Sequence, residues 1–200
     1  MSPDFQQPVI DEALERALIE AYSLLGALLR QPPTEKLLDR LAELQWESDL
    51  PRPLAAGLEE VRDSSRNYSA EAAAEEFRLL FVGLGRGEIV PYASWYREGV
   101  LQAGPLARLR SDLDDLGIAP APETAEPEDN AALLCEAMAL LNREDVDQKA
   151  YTGFFREHLA PWMFDLFRDL QVARNAGFYM AVASLGLGLL ELDRSLAETF

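Results

Sequence analysis

Apolar residues recur every three to four positions along most of the chain, and the strict alternation typical of strands is almost absent. The first such stretch contains Leu14, Leu18, Tyr22, Leu25 and Leu29. Residues with this spacing lie on one face of a helix and can be buried together. The pattern therefore predicts an amphipathic helix here and an all-α protein as a whole.

Proline, glycine and hydroxyl residues mark where the predicted helices begin and end. Pro32-Pro33-Thr34 ends the first helix and starts the second, and a third starts near Pro53. Ser69 is placed to cap a fourth helix. A further helix opens at Gly104-Pro105 and ends before Gly117, since proline suits a first helical turn and glycine commonly follows a helix end.

A proline-rich stretch divides the chain into two helical halves. Residues 118–125, IAPAPETA, form the predicted linker between residues 1–117 and 126–200. The second half is predicted to hold a helix from Pro127 and further helices at about 146–159, 161–174 and 176–198. Gly186 and Gly188 interrupt the last of these, which predicts a close crossing by another helix. The expected architecture is a single-domain helical bundle.

The acidic composition narrows the classes of partner. The 200 residues carry a net charge of −17, and the pI is about 4.4. This balance argues against nucleic acids and anionic membrane surfaces, because both are bound through clustered Lys and Arg. It favours cationic peptides, which an acidic surface attracts at low salt.

The apolar segments predict neither export nor membrane insertion. The N-terminus lacks a basic start followed by an apolar run, so no export signal is expected. The longest apolar run, residues 177–190, is broken by glycine and serine and is shorter than the roughly 20 residues of a membrane span. We therefore expect a cytoplasmic protein.

Residues that usually carry chemistry are few. Cys135 is the single cysteine and lies on an apolar helical stretch, so it is expected in the core. His158 is the single histidine, which argues against a catalytic dyad or transition-metal centre and favours packing. Asp112, Asp114 and Asp115 are expected on a solvated helix face. The sequence predicts no catalytic residue, no metal site and no cofactor.

Residues 74–104 combine a glycine loop with many large apolar side chains. Gly83-x-Gly85-x-Gly87 matches no phosphate-binding motif, so loop flexibility is its expected role. Tyr and Trp combine an apolar body with a polar tip, which predicts a partly exposed groove. The alternative is that these rings fill the core beneath a long loop. The groove is expected to be lined by Phe81, Tyr92, Trp95 and Tyr96.

The acidic segment Glu126-Pro127-Glu128-Asp129-Asn130 is predicted to open a helix. Glu126 is expected at the N-cap and Pro127 at the first helical position. Glu128 and Asp129 would then lie in the first turn, where the helix dipole favours carboxylates. The alternative role is to face a basic ligand, because an Arg side chain can donate two parallel hydrogen bonds to a carboxylate.

Three blocks of the sequence resemble one protein family. LLFVG, the glycine loop and PYASWY are similar to the central motif of the TorD/DmsD/NarJ family of molybdoenzyme-specific chaperones. Glu126–Asn130 resembles that family's E-P-x-D-H element, with Asn130 where histidine is usual. FFREHLAPWMFDLF, residues 154–167, resembles its late helix pair. The resemblance implies a TorD-like helical bundle, either monomeric or a domain-swapped homodimer.

This resemblance also implies a function, that of a cytoplasmic assembly chaperone without catalytic activity. Its expected partner is the apo catalytic subunit of a molybdenum-cofactor oxidoreductase with a twin-arginine leader peptide, in which paired arginines precede an apolar run. Formate dehydrogenases, sulfoxide or N-oxide reductases and nitrate reductases are all open as clients. The expected peptide-binding residues are Phe77, Leu80, Phe81, Pro91, Tyr92, Ser94, Trp95, Tyr96, Glu126, Pro127, Glu128, Asp129 and Asn130.

Two other functions stand as alternatives. One is a helical scaffold or regulatory subunit with no leader-peptide client. The other is a hydrolase that uses carboxylates on helices, although the chain shows no nucleophile with a recognisable base. Guanine-nucleotide binding, associated with some members of the family, and transient contact with the molybdenum cofactor are left open and are not predicted.

Overall fold

The computed structural model describes residues 12–46, 49–83, 85–102, 104–119, 126–143 and 147–199. The regular structure in these ranges is entirely helical, which confirms the all-α prediction. Two single π-helical turns, π1 (Arg78–Val82) and π2 (Phe155–Leu159), continue the α-helices that end at Phe77 and Phe154. The α-helices are α1 (Glu12–Arg30), α2 (Glu35–Ala42), α3 (Arg52–Ser65), α4 (Ala70–Phe77), α5 (Ala93–Glu98), α6 (Gly104–Asp115), α7 (Ala131–Arg143), α8 (Gln148–Phe154), α9 (Met163–Val172) and α10 (Phe178–Thr199).

Two predicted helix starts are confirmed by their capping hydrogen bonds. Thr34 Oγ1 accepts from the Leu37 amide at 3.3 Å, and Ser69 Oγ accepts from the Ala72 amide at 3.2 Å. Each bond satisfies a backbone N–H that has no partner inside the helix. Residues 120–125 of the predicted linker and the predicted helix start at residue 146 lie outside the described residues.

The two sequence halves share one hydrophobic core. Helix α1 of the first half packs on α7 of the second, and α3 of the first packs on α10 of the second. Leu18, Leu25, Met138 and Leu189 are fully buried in the same cluster. The halves are therefore segments of one bundle rather than separate bodies, because each supplies apolar faces that the other covers.

Two glycines, Gly57 and Gly188, allow α3 and α10 to cross at backbone contact, and Gly186 allows Phe167 of α9 to pack closely on α10. A Cβ atom on Gly188 would lie 2.2 Å from the Pro53 carbonyl oxygen, and one on Gly57 would lie 2.5 Å from Leu185 Cα. A Cβ on Gly186 would lie 2.5 Å from the Phe167 ring. The predicted close crossing is therefore confirmed, and any larger residue would force the helices apart.

Replacing Gly188 by alanine should lower the free energy of unfolding by about 1–3 kcal/mol, since the added methyl meets backbone atoms that cannot move away. Gly153 is the matched control, because it is exposed in α8 and a Cβ there meets nothing within 4 Å. Gly153→Ala should raise stability by about 0.5–1 kcal/mol. Chemical denaturation of both variants measures the difference, and a neutral Gly188→Ala would contradict the crossing.

A buried polar cluster links α1, α8 and α10. Asp193 is 1% exposed, and its carboxylate accepts hydrogen bonds from the Tyr22 and Tyr151 hydroxyl groups. Burial raises the pKa of Asp193 to about 7, although both tyrosine hydrogen bonds favour the ionised form. The cluster was not predicted, because its members lie far apart in the sequence.

The raised pKa of Asp193 makes stability depend on pH. The folded state holds this proton more tightly than the unfolded chain, whose carboxyl has a pKa near 3.8. The stabilisation is therefore complete below pH 3.8 and is lost as the pH rises through about 7. The Asp193→Asn variant has no ionisable group at this position. The unfolding free energy of wild type relative to this variant should therefore fall between pH 4.5 and 8. A constant difference in urea denaturation would contradict this assignment.

Candidate functional site

The backbone joins the aromatic and acidic motifs directly. Tyr92 and Asn130 form an isolated antiparallel bridge. The Ala93 amide donates to the Asp129 carbonyl at 3.0 Å, and the Ala131 amide donates to the Pro91 carbonyl at 2.9 Å. Two segments some 35 residues apart in the sequence therefore form one rigid unit at the starts of α5 and α7.

Asp129 is the buried centre of this unit. Its side chain is fully buried, and Oδ2 accepts from the Ser94 amide in the first turn of α5 at 2.9 Å. Oδ1 is also buried and has no hydrogen-bond partner among the described residues. A buried carboxylate oxygen without a partner is costly, so this atom would gain from an incoming hydrogen-bond donor.

Glu126 and Tyr92 form the exposed edge of the unit. The Tyr92 hydroxyl donates to the Glu126 carboxylate. Partial burial, followed by this hydrogen bond to an anion, raises the pKa of Tyr92 to about 12. Tyr92 is half-buried and Glu126 is exposed, so both are within reach of a ligand.

The helix start in this region differs from the prediction. Helix α7 begins at Ala131, and Asn130 occupies the N-cap, where its Oδ1 accepts from the Ala132 amide at 2.9 Å. Asn130 N also donates to the Pro127 carbonyl at 3.1 Å, which closes a turn before the helix. The predicted N-cap at Glu126 and first turn through Asp129 are therefore wrong. Asparagine caps a helix better than glutamate, because its short side chain reaches the first free amides.

Glu128 is already paired with a cation of the same chain. Arg110 Nε and Nη2 both donate to Glu128 Oε2, at 2.9 and 2.8 Å. The Glu128 side chain is 16% exposed and that of Arg110 is 56% exposed. The Arg110 hydrogen bonds lower the pKa of Glu128. Of the three predicted carboxylates, Glu128 therefore has its charge compensated inside the protein.

Gly83 and Gly87, at the two ends of the glycine loop, lie in close backbone contact with neighbouring residues, and the expected flexibility of the loop stays a prediction. A Cβ on Gly83 would lie 2.1 Å from the Arg86 carbonyl oxygen, and one on Gly87 would lie 2.3 Å from the Leu80 carbonyl oxygen. These glycines permit close backbone approach, and Gly83 also has a positive φ of 62°. The loop positions the Arg86 guanidinium 4.7 Å from the centroid of the half-buried Trp95 ring.

Tyr96 connects the unit to the third motif block. Its hydroxyl donates to Asp169 Oδ2 at 3.0 Å, and its ring lies 5.5 Å from that of Trp162, just before α9. Burial, with this hydrogen bond, raises the pKa of Tyr96. All three motif blocks therefore meet around α5.

The predicted groove rings pack on two different helices. Phe81 contacts Phe77 at 5.0 Å and Tyr179 of α10 at 5.3 Å between ring centroids, whereas Tyr96 contacts Trp162. Leu80 is fully buried in the core. The aromatic residues predicted to bind the peptide, Phe77, Phe81, Tyr92, Trp95 and Tyr96, are all half-buried, and Tyr92 contacts the acidic segment through Glu126.

Two glutamates that the sequence analysis did not identify, Glu76 before π1 and Glu88 after the glycine loop, bind the backbone at and just before the start of α10. Glu76 is buried and accepts from the Gly177, Phe178 and Tyr179 amides at 2.6–3.0 Å, which caps the N-terminus of α10. Glu88 accepts from the Arg174 amide at 2.7 Å. The sequence shows a glutamate before and a glutamate after the loop, but it does not show their hydrogen-bond partners, which lie about 90 to 100 residues away.

The single histidine has a structural role. His158 is buried on π2, and its Nε2 lies 2.7 Å from Asp112 Oδ2 of α6. Burial lowers the pKa of His158. The predicted packing role is confirmed, whereas Asp112 does more than face solvent, as it ties α6 to π2. Cys135 is fully buried as predicted, and burial raises the pKa of its thiol.

The described ranges contain neither a metal-binding cluster nor a membrane-spanning helix. No group of three or more His, Cys, Asp or Glu residues there is arranged to hold a metal ion. None of the helices described above is both long and apolar enough to cross a bilayer. A cavity of about 580 Å³ lies between α1, α2 and α3, and none of the predicted peptide-binding residues lines it.

Comparison with known proteins identifies relatives. The model of the nitrate reductase delta subunit family matches residues 47–168. A probable Tat proofreading chaperone, DmsD of Haemophilus influenzae, is 31% identical over 121 residues, which are 58% of this chain and 58% of that protein. The chaperone protein TorD of Ferrimonas balearica is 30% identical over 176 residues, covering 81% of this chain and 76% of that protein. TorD of Aliivibrio fischeri is 29% identical, covering 78% and 77%.

A solved structure supports the fold. A protein of Archaeoglobus fulgidus described as a redox enzyme maturation protein superposes with a TM-score of 0.51 at 14% identity, covering 96% of this chain and 97% of that one. The family model covers more than half of the chain, and the residues that it matches contain all three motif blocks. The chain therefore belongs to the nitrate reductase delta subunit family and, with TorD and DmsD as relatives, to the TorD/DmsD/NarJ family of redox enzyme maturation chaperones.

Proposed function

We propose that this protein is a cytoplasmic assembly chaperone that binds the twin-arginine leader peptide of an apo-molybdoenzyme. The observation that carries the proposal is the joining of the Pro91–Tyr96 segment to the Glu126–Asn130 segment around Asp129. Half-buried aromatic rings and carboxylates are thereby placed side by side. A leader with paired arginines followed by an apolar run has the same two kinds of group in sequence.

The acidic part would receive the arginines. Asp129 Oδ1 is buried without a partner among the described residues, and Glu126 is exposed three residues earlier in the same segment. An arginine guanidinium offers several N–H donors in a fixed plane, so one guanidinium can donate both to a buried oxygen of Asp129 and to the exposed carboxylate of Glu126. The net charge of −17 would speed encounter with such a peptide.

The aromatic part would receive the apolar run. Tyr92, Trp95 and Tyr96 are half-buried, so each retains ring surface that a peptide can cover. Covering apolar surface contributes about 25 cal/mol per Å². Ordering a disordered leader costs about 2–5 kcal/mol, so the net affinity should be modest. A modest affinity allows release once the client has its cofactor, and no chemical step by the chaperone is needed.

The matched family is described as a delta subunit, which favours one second candidate. A helical scaffold or regulatory subunit would bind the mature enzyme complex rather than a leader. Co-purification with such a complex that added leader peptide does not reduce would support this candidate. Loss of the client on addition of leader peptide would support the proposed function instead.

Replacing Trp95 by alanine should weaken leader-peptide binding by at least about tenfold, because buried tryptophan contacts commonly dominate peptide interfaces. Trp46→Ala is the matched control. Trp46 is also half-buried beneath an arginine, with Arg62 at 4.8 Å, but it lines the cavity between α1, α2 and α3. Titration calorimetry with a synthetic Arg-Arg leader measures both variants, and equal affinities would remove Trp95 from the site.

Replacing Glu126 by glutamine should slow peptide association and reduce its dependence on ionic strength, since a charge facing the peptide contributes mainly to encounter. Glu60→Gln, an exposed change on α3, alters the net charge equally and serves as the control. Stopped-flow association at several salt concentrations separates the two. Identical salt slopes for the variants would show that the arginines do not meet Glu126.

A further inference from the structure

Two arginines of the chain itself cover side chains of the candidate site: one lies over Trp95, which the proposed function assigns to the peptide, and the other pairs with Glu128, the sequence neighbour of Asp129. Arg110 makes two hydrogen bonds to Glu128, at 2.9 and 2.8 Å, and Arg86 lies 4.7 Å from the Trp95 ring centroid. Trp95 and Glu128 are the sequence neighbours of Ser94 and Asp129, which are hydrogen-bonded to each other. Both arginines therefore stand at the edge of the same unit.

The exposed fractions of Arg110 and Glu128 indicate which of the two side chains can move out of their ion pair. Arg110 is 56% exposed, whereas Glu128 is only 16% exposed. Arg110 can swing into solvent at little cost, since exposed ion pairs are weak. Glu128 cannot be rehydrated so easily, and it would be left as a largely buried carboxylate in need of another cation.

The Arg86 contact is built by the backbone of the glycine loop. Gly83 and Gly87 allow the close approaches that fold the loop, and the exposed Arg86 lies between them over Trp95. A guanidinium over an indole face is favourable, but the contact is worth little at an exposed site. The ring is thus kept covered by a group that an incoming ligand can replace.

We infer that Arg86 and Arg110 are resident competitors, which occupy the Trp95 face and the Glu128 carboxylate until the leader displaces them. The inference rests on the proposed function and adds a regulatory contact to the same site. The resident arginines keep a largely buried carboxylate and a half-buried indole covered in the free chaperone. They also lower the affinity for any leader, because binding must break both contacts first.

The Arg110 contact is tested by Arg110→Gln with Arg108→Gln as its control. Arg108 lies on the same helix, is 66% exposed and pairs with Glu157 instead of Glu128. Both variants lower the net charge by one, so long-range attraction of the peptide rises equally. Calorimetry with a synthetic leader containing Arg-Arg before a leucine-rich run should show tighter binding by Arg110→Gln, by about two- to fivefold over the control, the factor expected from releasing one exposed ion pair.

A double variant separates competition from simple support of Glu128. In Arg110→Gln/Glu128→Gln the carboxylate is absent, so the gain from removing Arg110 should disappear. Arg110→Gln that binds the leader no better than Arg108→Gln, or more weakly, would overturn the inference for Arg110. Circular dichroism confirms that each variant is folded.

The Arg86 contact is tested in the same way by Arg86→Gln. Its control is Arg78→Gln, because Arg78 is exposed on π1 and pairs with Glu75. Arg86→Gln should bind the leader about two- to fivefold more tightly than the control, the factor expected for one exposed cation–π contact. Equal affinities would overturn the inference for Arg86. Failure of wild type to bind the leader would overturn the proposed function together with this inference, whereas binding without these gains would overturn the inference alone.

Discussion

The hydrogen bond between the buried Asp129 carboxylate and the Ser94 amide is the contact on which the candidate site depends. It accompanies two backbone hydrogen bonds that join the starts of α5 and α7. A fully buried carboxylate is tolerated in a protein only when its surroundings supply donors. Here one oxygen has a donor and the other has none among the described residues, so the same side chain organises the unit and keeps one oxygen able to accept a further hydrogen bond.

Electrostatics divides the acidic segment into groups with different roles. Glu126 is exposed and accepts from Tyr92, Asp129 is buried, and Glu128 is paired with Arg110. If only the net charge of the chain mattered, the three carboxylates would attract an external cation equally. Their different burial and partners decide which is open to an external cation, so under the proposed function a cationic peptide would be directed to one place rather than to the whole acidic surface.

The bundle holds this unit through contacts between distant parts of the chain. Glu76 before π1 and Glu88 after the glycine loop bind the backbone at and just before the start of α10. The glycine-lined crossing of α3 and α10 anchors that helix in the shared core. The position of Arg86 over Trp95 therefore depends on helices from both halves of the sequence.

Features that depend only on residues close together in the sequence could be predicted from it. Helical periodicity, the helix start at Thr34, the Ser69 cap and the glycines of the α10 crossing follow from near neighbours along the chain, and all are confirmed. The motif blocks also indicated the family. The start of α7 at Asn130, the pairing of Arg110 with Glu128, and the convergence of three blocks on α5 were decided only by tertiary structure. Side chains remote in sequence meet only where packing of the whole bundle brings them together, and no local pattern encodes those meetings.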